Sequence, residues 1–179
     1  MKNVLYILGQ LTDEDIEWMI GNGRGEYCRV NEELLREGQE SDSLYITFEG
    51  RFGVFIDALQ GRKLNELGPG EIVGEMSFVQ YHPPVATVRV LEDGFVLVVP
   101  REKLAAKLES DAGFASRFYK AVAIMLADRL RDSFTWINEV NESGGDESAD
   151  LDELHLDMLE DVSRAGERFE RLVKRVKGV

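Results

Sequence analysis

Cysteine and histidine are scarce here: Cys28, His82 and His155 are all that 179 residues contain. One cysteine excludes an internal disulfide, and three such residues cannot close a four-ligand Cys/His zinc site, so no metal site is expected. Positive charge is also short. Lys+Arg number 21 against 34 for Asp+Glu, giving a formal net charge of −13. A nucleic-acid partner requires a basic face that displaces counterions, and an anionic bilayer makes a similar demand, so neither is expected as a partner. Long apolar runs are missing as well. Val4-Leu5-Tyr6-Ile7-Leu8 is shorter than a signal peptide's apolar region, and no later run approaches the roughly 20 residues of a membrane span. The expectation is a reduced, cytoplasmic protein. Catalysis lacks a constellation: there is no Ser/His/Asp ordering, no His-Glu-x-x-His and no P-loop. With 34 acids present, carboxylate pairs mean nothing until placed. No catalytic residue is assigned and no enzyme is expected.

What is present is a globular composition, 44% hydrophobic and 31% charged, enough to bury a core. Charge is segregated along the chain. Residues 139–161 hold ten acids and no Lys or Arg, whereas 162–179 hold six bases and two acids. The small, polar stretch at 139–149 reads as an acidic flexible linker between a body and a tail.

The body opens with Thr12 before Asp13-Glu14-Asp15, a cap oxygen followed by acids at the positive end of a helix dipole. Ile16, Met19 and Ile20 supply the apolar stripe. Gly21-Asn22-Gly23-Arg24-Gly25 mimics a phosphate loop but follows a helix rather than a strand, so a plain loop is expected. Seven short apolar runs follow, at 27–30, 33–36, 43–49, 52–57, 63–67, 86–91 and 95–100. Strands at such spacing indicate a closed antiparallel barrel or a jelly roll, occupying about 26–100. Cys28 falls in one of them as a small core residue. Helix returns at 101–108 and again from 112 to about 138, where Phe114, Phe118, Val122, Met125, Leu130, Phe134 and Ile137 form one face. A stripe of some seven turns is too long to bury on a small barrel, so part of it is expected to meet another subunit. In the tail, 150–178, Leu151, His155, Met158, Val162, Ala165, Phe169, Leu172 and Val176 alternate steps of four and three, a heptad register. Such a helix either packs back on its own barrel or joins subunits.

Two segments carry a resemblance. Leu35-Arg36-Glu37-Gly38 through Asp42-Ser43-Leu44-Tyr45-Ile46, ending at Gly50, resembles the early strands of the cyclic-nucleotide-binding domain family. Leu67-Gly68-Pro69-Gly70-Glu71-Ile72-Val73-Gly74-Glu75-Met76-Ser77-Phe78 looks like the run into that family's phosphate-binding cassette, and Pro83-Pro84-Val85-Ala86-Thr87-Val88 looks like its end. The resemblance spans 9–138 and implies a mainly β, jelly-roll-like antiparallel barrel with flanking helices, of the sensor type found in catabolite activators. It implies a cassette of Gly74, Glu75, Met76, Ser77, Val85 and Ala86, in which a short helix near Glu75 turns main-chain N–H groups toward a phosphate and Glu75 accepts from a ribose hydroxyl. The ligand it implies is cAMP or cGMP.

The chain departs from the family pattern in two places. Where the family carries an arginine for the cyclic phosphate, this chain has Pro84. Strand alternation puts Ala86, Val88 and Val90 toward the barrel and turns Arg89 outward, so Arg89 is no replacement. Losing one hydrogen-bonded charge contact removes about 1.5–3 kcal/mol, roughly ten- to hundredfold in affinity, so any nucleotide is expected to bind weakly. The second departure is that the 41 residues after Asn138 show no helix-turn-helix pattern with a basic recognition face. The reading is a non-enzymatic regulatory or adaptor protein with an unidentified protein partner. It is expected to be a homodimer through Phe118, Met125, Leu130, Phe134, Ile137, Met158, Val162, Phe169 and Leu172. The alternative is a ligand-free structural module for protein–protein assembly.

Overall fold

A computed structural model describes residues 8–57, 61–79, 82–141 and 159–178, with the backbone alone at 62, 77, 132–141 and 159–165. In chain order the elements are α1 (Asp13–Asn22), β1 (Arg24–Cys28), β2 (Glu33–Leu35), β3 (Ser43–Ile56), β4 (Arg62–Leu67), β5 (Ile72–Val73), α2 (Met76–Val79), β6 (Thr87–Pro100), α3 (Arg101–Ser110), α4 (Ala112–Asn141) and α5 (Leu159–Lys177). The strands form one antiparallel sheet in the order β1-β6-β3-β4, with β2 on β6 and β5 on β3. It is jelly-roll-like and not closed into a barrel, which corrects one of the two expectations. Closure is unnecessary because two long, bent strands wrap the sheet around its own core.

Those two strands are where the sequence pattern misleads. Gly50 and Gly94 look like turns between separate strands, yet β3 and β6 each run through them for 14 residues. Gly50 has φ +91, and a Cβ there would stand 2.7 Å from the Glu92 carbonyl oxygen; one on Gly94 would stand 2.3 Å from that of Glu49. The glycines let two crossing strands bend in contact, and the pairing register shifts repeatedly between Thr47 and Phe52.

Alternation along β6 divides the core. Phe95, Leu97 and Val99 face the helices, where Ile16, Met19, Leu104, Phe114, Phe118, Ala121, Val122 and Met125 are buried. Val88, Val90, Val96 and Val98 face the roll interior with Cys28, Leu35, Phe52 and Val73. Cys28 is thus the small core residue expected, and burial pushes its thiol up to about 11. At α1 the Thr12 hydroxyl accepts from the Asp15 N–H at 3.2 Å and the Asp15 carboxylate accepts from the Thr12 N–H at 2.8 Å, a complete capping box. The same carboxylate takes Arg117 of α4 at 2.6 and 2.8 Å. Gly23 caps α1 and the chain runs straight into β1, so little of the expected 21–25 loop exists.

The long helix reaches Asn141, three residues past its expected end. The described tail helix begins at Leu159. Residues 142–149 of the expected linker, and Leu151, His155 and Met158 of the heptad, lie outside the described residues. Where the side chains of α5 are described, the helix packs on its own chain. Leu172 is 0% exposed, and Phe169 meets Phe48 edge-on with centroids 5.6 Å apart. Arg168 donates to Asp13 at 2.7 Å and to the carbonyls of Leu8 and Leu11 at 2.9 and 2.8 Å. Phe118 and Met125 are likewise buried in their own core. Assigning Phe118, Met125, Phe169 and Leu172 to a subunit interface is therefore corrected: the chain itself consumes those apolar surfaces. Leu130 is 56% exposed, while Phe134, Ile137 and Val162 are described as backbone only.

Candidate cassette at the junction of sheet and long helix

Gly70 (φ +89) and Gly74 (φ +94) bracket β5, and one turn of helix, α2, opens right after Glu75, whose carbonyl accepts from the Phe78 N–H at 3.0 Å. The short helix expected at this point is present. At four residues, however, it aligns too few peptide units for a strong dipole. Gly74 serves a different purpose from the one expected. A Cβ there would lie 2.9 Å from the Ser43 carbonyl oxygen, so the glycine fits a close turn against β3 rather than the approach of a ligand.

Glu75 is neither a solvated cap residue nor an open ligand contact. It is 2% exposed, and its carboxylate accepts from the Arg129 guanidinium of α4. The other terminal nitrogen of Arg129 donates to the Ile72 carbonyl at 2.7 Å and lies 3.7 Å from the carboxylate of Glu71, itself 8% exposed. Burial drives the Glu75 carboxyl above its ordinary 4.5, against the opposing pull of Arg129. Nothing in the amino-acid order singles out Arg129. It lies 54 residues from Glu75, on a helix whose charged positions all look solvated in a one-dimensional reading.

The cassette's far end keeps the expected alternation. Pro84, Val88 and Val90 are buried, Ala86 is half-buried and Val85 is exposed. Pro84 is fastened by its carbonyl, which accepts from the Gly38 N–H at 2.9 Å, while Thr87 Oγ1 accepts from the Glu37 N–H at 3.0 Å. Arg89 lies on the outer face as expected, paired with Glu33 at 3.1 Å and placed over the Phe55 ring at 5.2 Å. Of the other expected residues, Met76 is exposed, Ser77 is described as backbone only and His82 is exposed. Tyr81 lies outside the described residues. A polar cleft of about 540 Å³ adjoins the turn through Leu35 and Ser43. Arg24 and Arg36 share its walls with Glu33, Glu40 and Asp42, so it has no bias toward an anion. Among the described residues no His/Cys/Asp/Glu group is placed to hold a metal ion, and no helix is long and apolar enough to cross a membrane.

Against this geometry the comparisons are specific. Residues 26–111 match the model of the cyclic nucleotide-binding domain. An uncharacterized NTE family protein of Mycobacterium tuberculosis is 29% identical over 120 residues, covering 67% of this chain and 20% of that protein. The lysophospholipase nte1 of Emericella nidulans is 26% identical over 128 residues, 69% of this chain and 8% of that enzyme. The chain thus spans about a fifth of the first relative and less of the second. Among solved structures, a cyclic nucleotide-binding domain from Methylobacillus flagellatus superposes with a TM-score of 0.67 at 20% identity, covering 83% of this chain and 86% of that one.

Proposed function

Residues 26–111 belong to the cyclic nucleotide-binding domain family, and on that premise we propose a non-enzymatic regulatory module that senses a cyclic nucleotide weakly and relays occupancy to α4. One observation carries the relay: the cassette carboxylate, Glu75, is joined to the long helix through Arg129. Whatever engages Glu75 must act on α4, and a ligand shifts an equilibrium only through contacts that differ between its states. The weakness follows from Pro84, which offers no guanidinium, and from Arg89, which is held by Glu33 on the outer face. The lysophospholipase relative is an enzyme, but the match covers 8% of its length, which carries no argument for lipid hydrolysis here. A homodimer through the outer part of α4 completes the proposal, with the exposed Leu130 as the described apolar residue that would face the partner.

Calorimetry with cAMP and cGMP tests the reading. The unaltered chain should bind only at high nucleotide concentration, and Pro84→Arg should tighten binding by about ten- to hundredfold, one charge-assisted contact regained. Tight binding by the unaltered chain would overturn the argument from position 84. The second reading, a ligand-free assembly module, is favoured by the near-total burial of Glu75. It predicts no heat from either protein.

A further inference from the structure

Two carboxylates that water barely reaches, Glu75 at 2% and Glu71 at 8% exposure, converge on the guanidinium of Arg129, which also closes on the Ile72 carbonyl at 2.7 Å. The apolar stripe of α4 is buried from Phe114 to Met125, Arg129 lies one turn further on, and Leu130 beside it is 56% exposed. The pair therefore forms where α4 emerges from the body. A ribose hydroxyl needs an accepting oxygen, and a carboxylate with almost no accessible surface cannot accept from a newcomer while Arg129 covers it. The planar guanidinium suits such a cover, because its fork of donors meets a carboxylate and a carbonyl at once, which a ligand hydroxyl cannot match.

We propose that Arg129 is an internal occupant of the cassette, which seals Glu75 and ties α4 to the sheet until a nucleotide displaces it. Arg129 is then the residue that sets the affinity of the site, by competition. The role rests on the nucleotide-sensing reading above, and it makes binding and the release of α4 a single event.

The test uses the full chain and its Arg129→Gln and Arg129→Lys variants, with two measurements. In the first, hydrogen exchange is followed by mass spectrometry over 126–141 without ligand. Arg129→Gln should speed exchange at least tenfold, and Arg129→Lys, which keeps the charge but loses the fork, should do so less. In the second, cAMP and cGMP are titrated calorimetrically, and Arg129→Gln should bind at least tenfold more tightly than the unaltered chain. Unchanged exchange would overturn the tether. Unchanged or weaker nucleotide binding beside measurable wild-type binding would also overturn the proposal, because Arg129 would then be a bystander or a ligand contact. If no variant binds, the Arg129→Gln/Pro84→Arg double variant included, the nucleotide reading fails and the competitive role with it. Exchange alone then reports whether the tether exists. Should Arg129→Gln fail to fold, Arg129→Lys carries both measurements with a smaller effect in the same direction.

Discussion

Asp15 and Glu75 are both buried carboxylates paired with an arginine of α4, and they titrate in opposite directions. At Asp15 burial pushes the pKa up, but hydrogen bonds from Arg117 and Thr12 outweigh it and the carboxyl stays below its ordinary 3.8. At Glu75 burial wins and the carboxyl rises above 4.5. The signs follow by linkage. The native state holds the Glu75 proton more firmly than the unfolded chain does, so its contribution favours the fold below 4.5 and is lost as pH climbs through the raised native value. Glu75→Gln should therefore gain stability relative to the unaltered protein as pH rises from acidic toward neutral. Asp15→Asn should do the reverse: the unaltered protein holds its advantage above 3.8 and loses it as pH falls. Denaturant melts across pH 4 to 8, extended to lower pH for Asp15, read both, and parallel curves would contradict the two assignments. Near neutrality, Arg117→Ala should cost about 2–4 kcal/mol, less than a fully dry pair would, because Arg117 keeps some contact with water.

At the scale of elements, α5 is part of the body's packing. A Cβ on Gly25 of β1 would come 2.7 Å from Val176 Cγ1 and 2.5 Å from the Phe95 ring, so the absent side chain is the seat for the helix. Leu172→Ala should destabilise the protein by about 2–5 kcal/mol, the range for emptying a fully buried leucine site. Gly25→Ala should loosen α5 selectively, detected as faster amide exchange over 166–177 with little change in α4. Equal loosening of both helices would mean that α5 has no separate seat. The charge gradient of the tail also finds its purpose here: Arg168, Arg175 and Lys177 meet Asp13, Glu17 and Glu49 of the acidic body. Of the two packing arrangements open to a heptad helix, the described part takes the intramolecular one.

At the scale of the molecule, burying Phe118, Met125, Phe169 and Leu172 in one chain leaves a narrower surface for self-association than the sequence pattern promised. If the protein is a dimer through α4, Leu130→Glu should shift light scattering toward the monomer without lowering the melting temperature, since the residue is largely exposed. An unchanged mass would remove Leu130 from the interface. Helix positions, strand alternation, the Thr12 cap and the order of the cassette motifs were legible in the amino-acid order because each arises from near neighbours or from a short repeat. The same holds for the loss of an arginine at Pro84 and for the outward turn of Arg89. What only the folded chain decided depends on groups far apart in sequence: the glycines at 50 and 94 as bends rather than turns, Gly74 as a fit against Ser43, the burial of the tail, and Arg129 closing over Glu75. Periodicity tells which face of a helix is apolar but not what covers it, and a charged side chain shows its partner only once the fold has brought the two together.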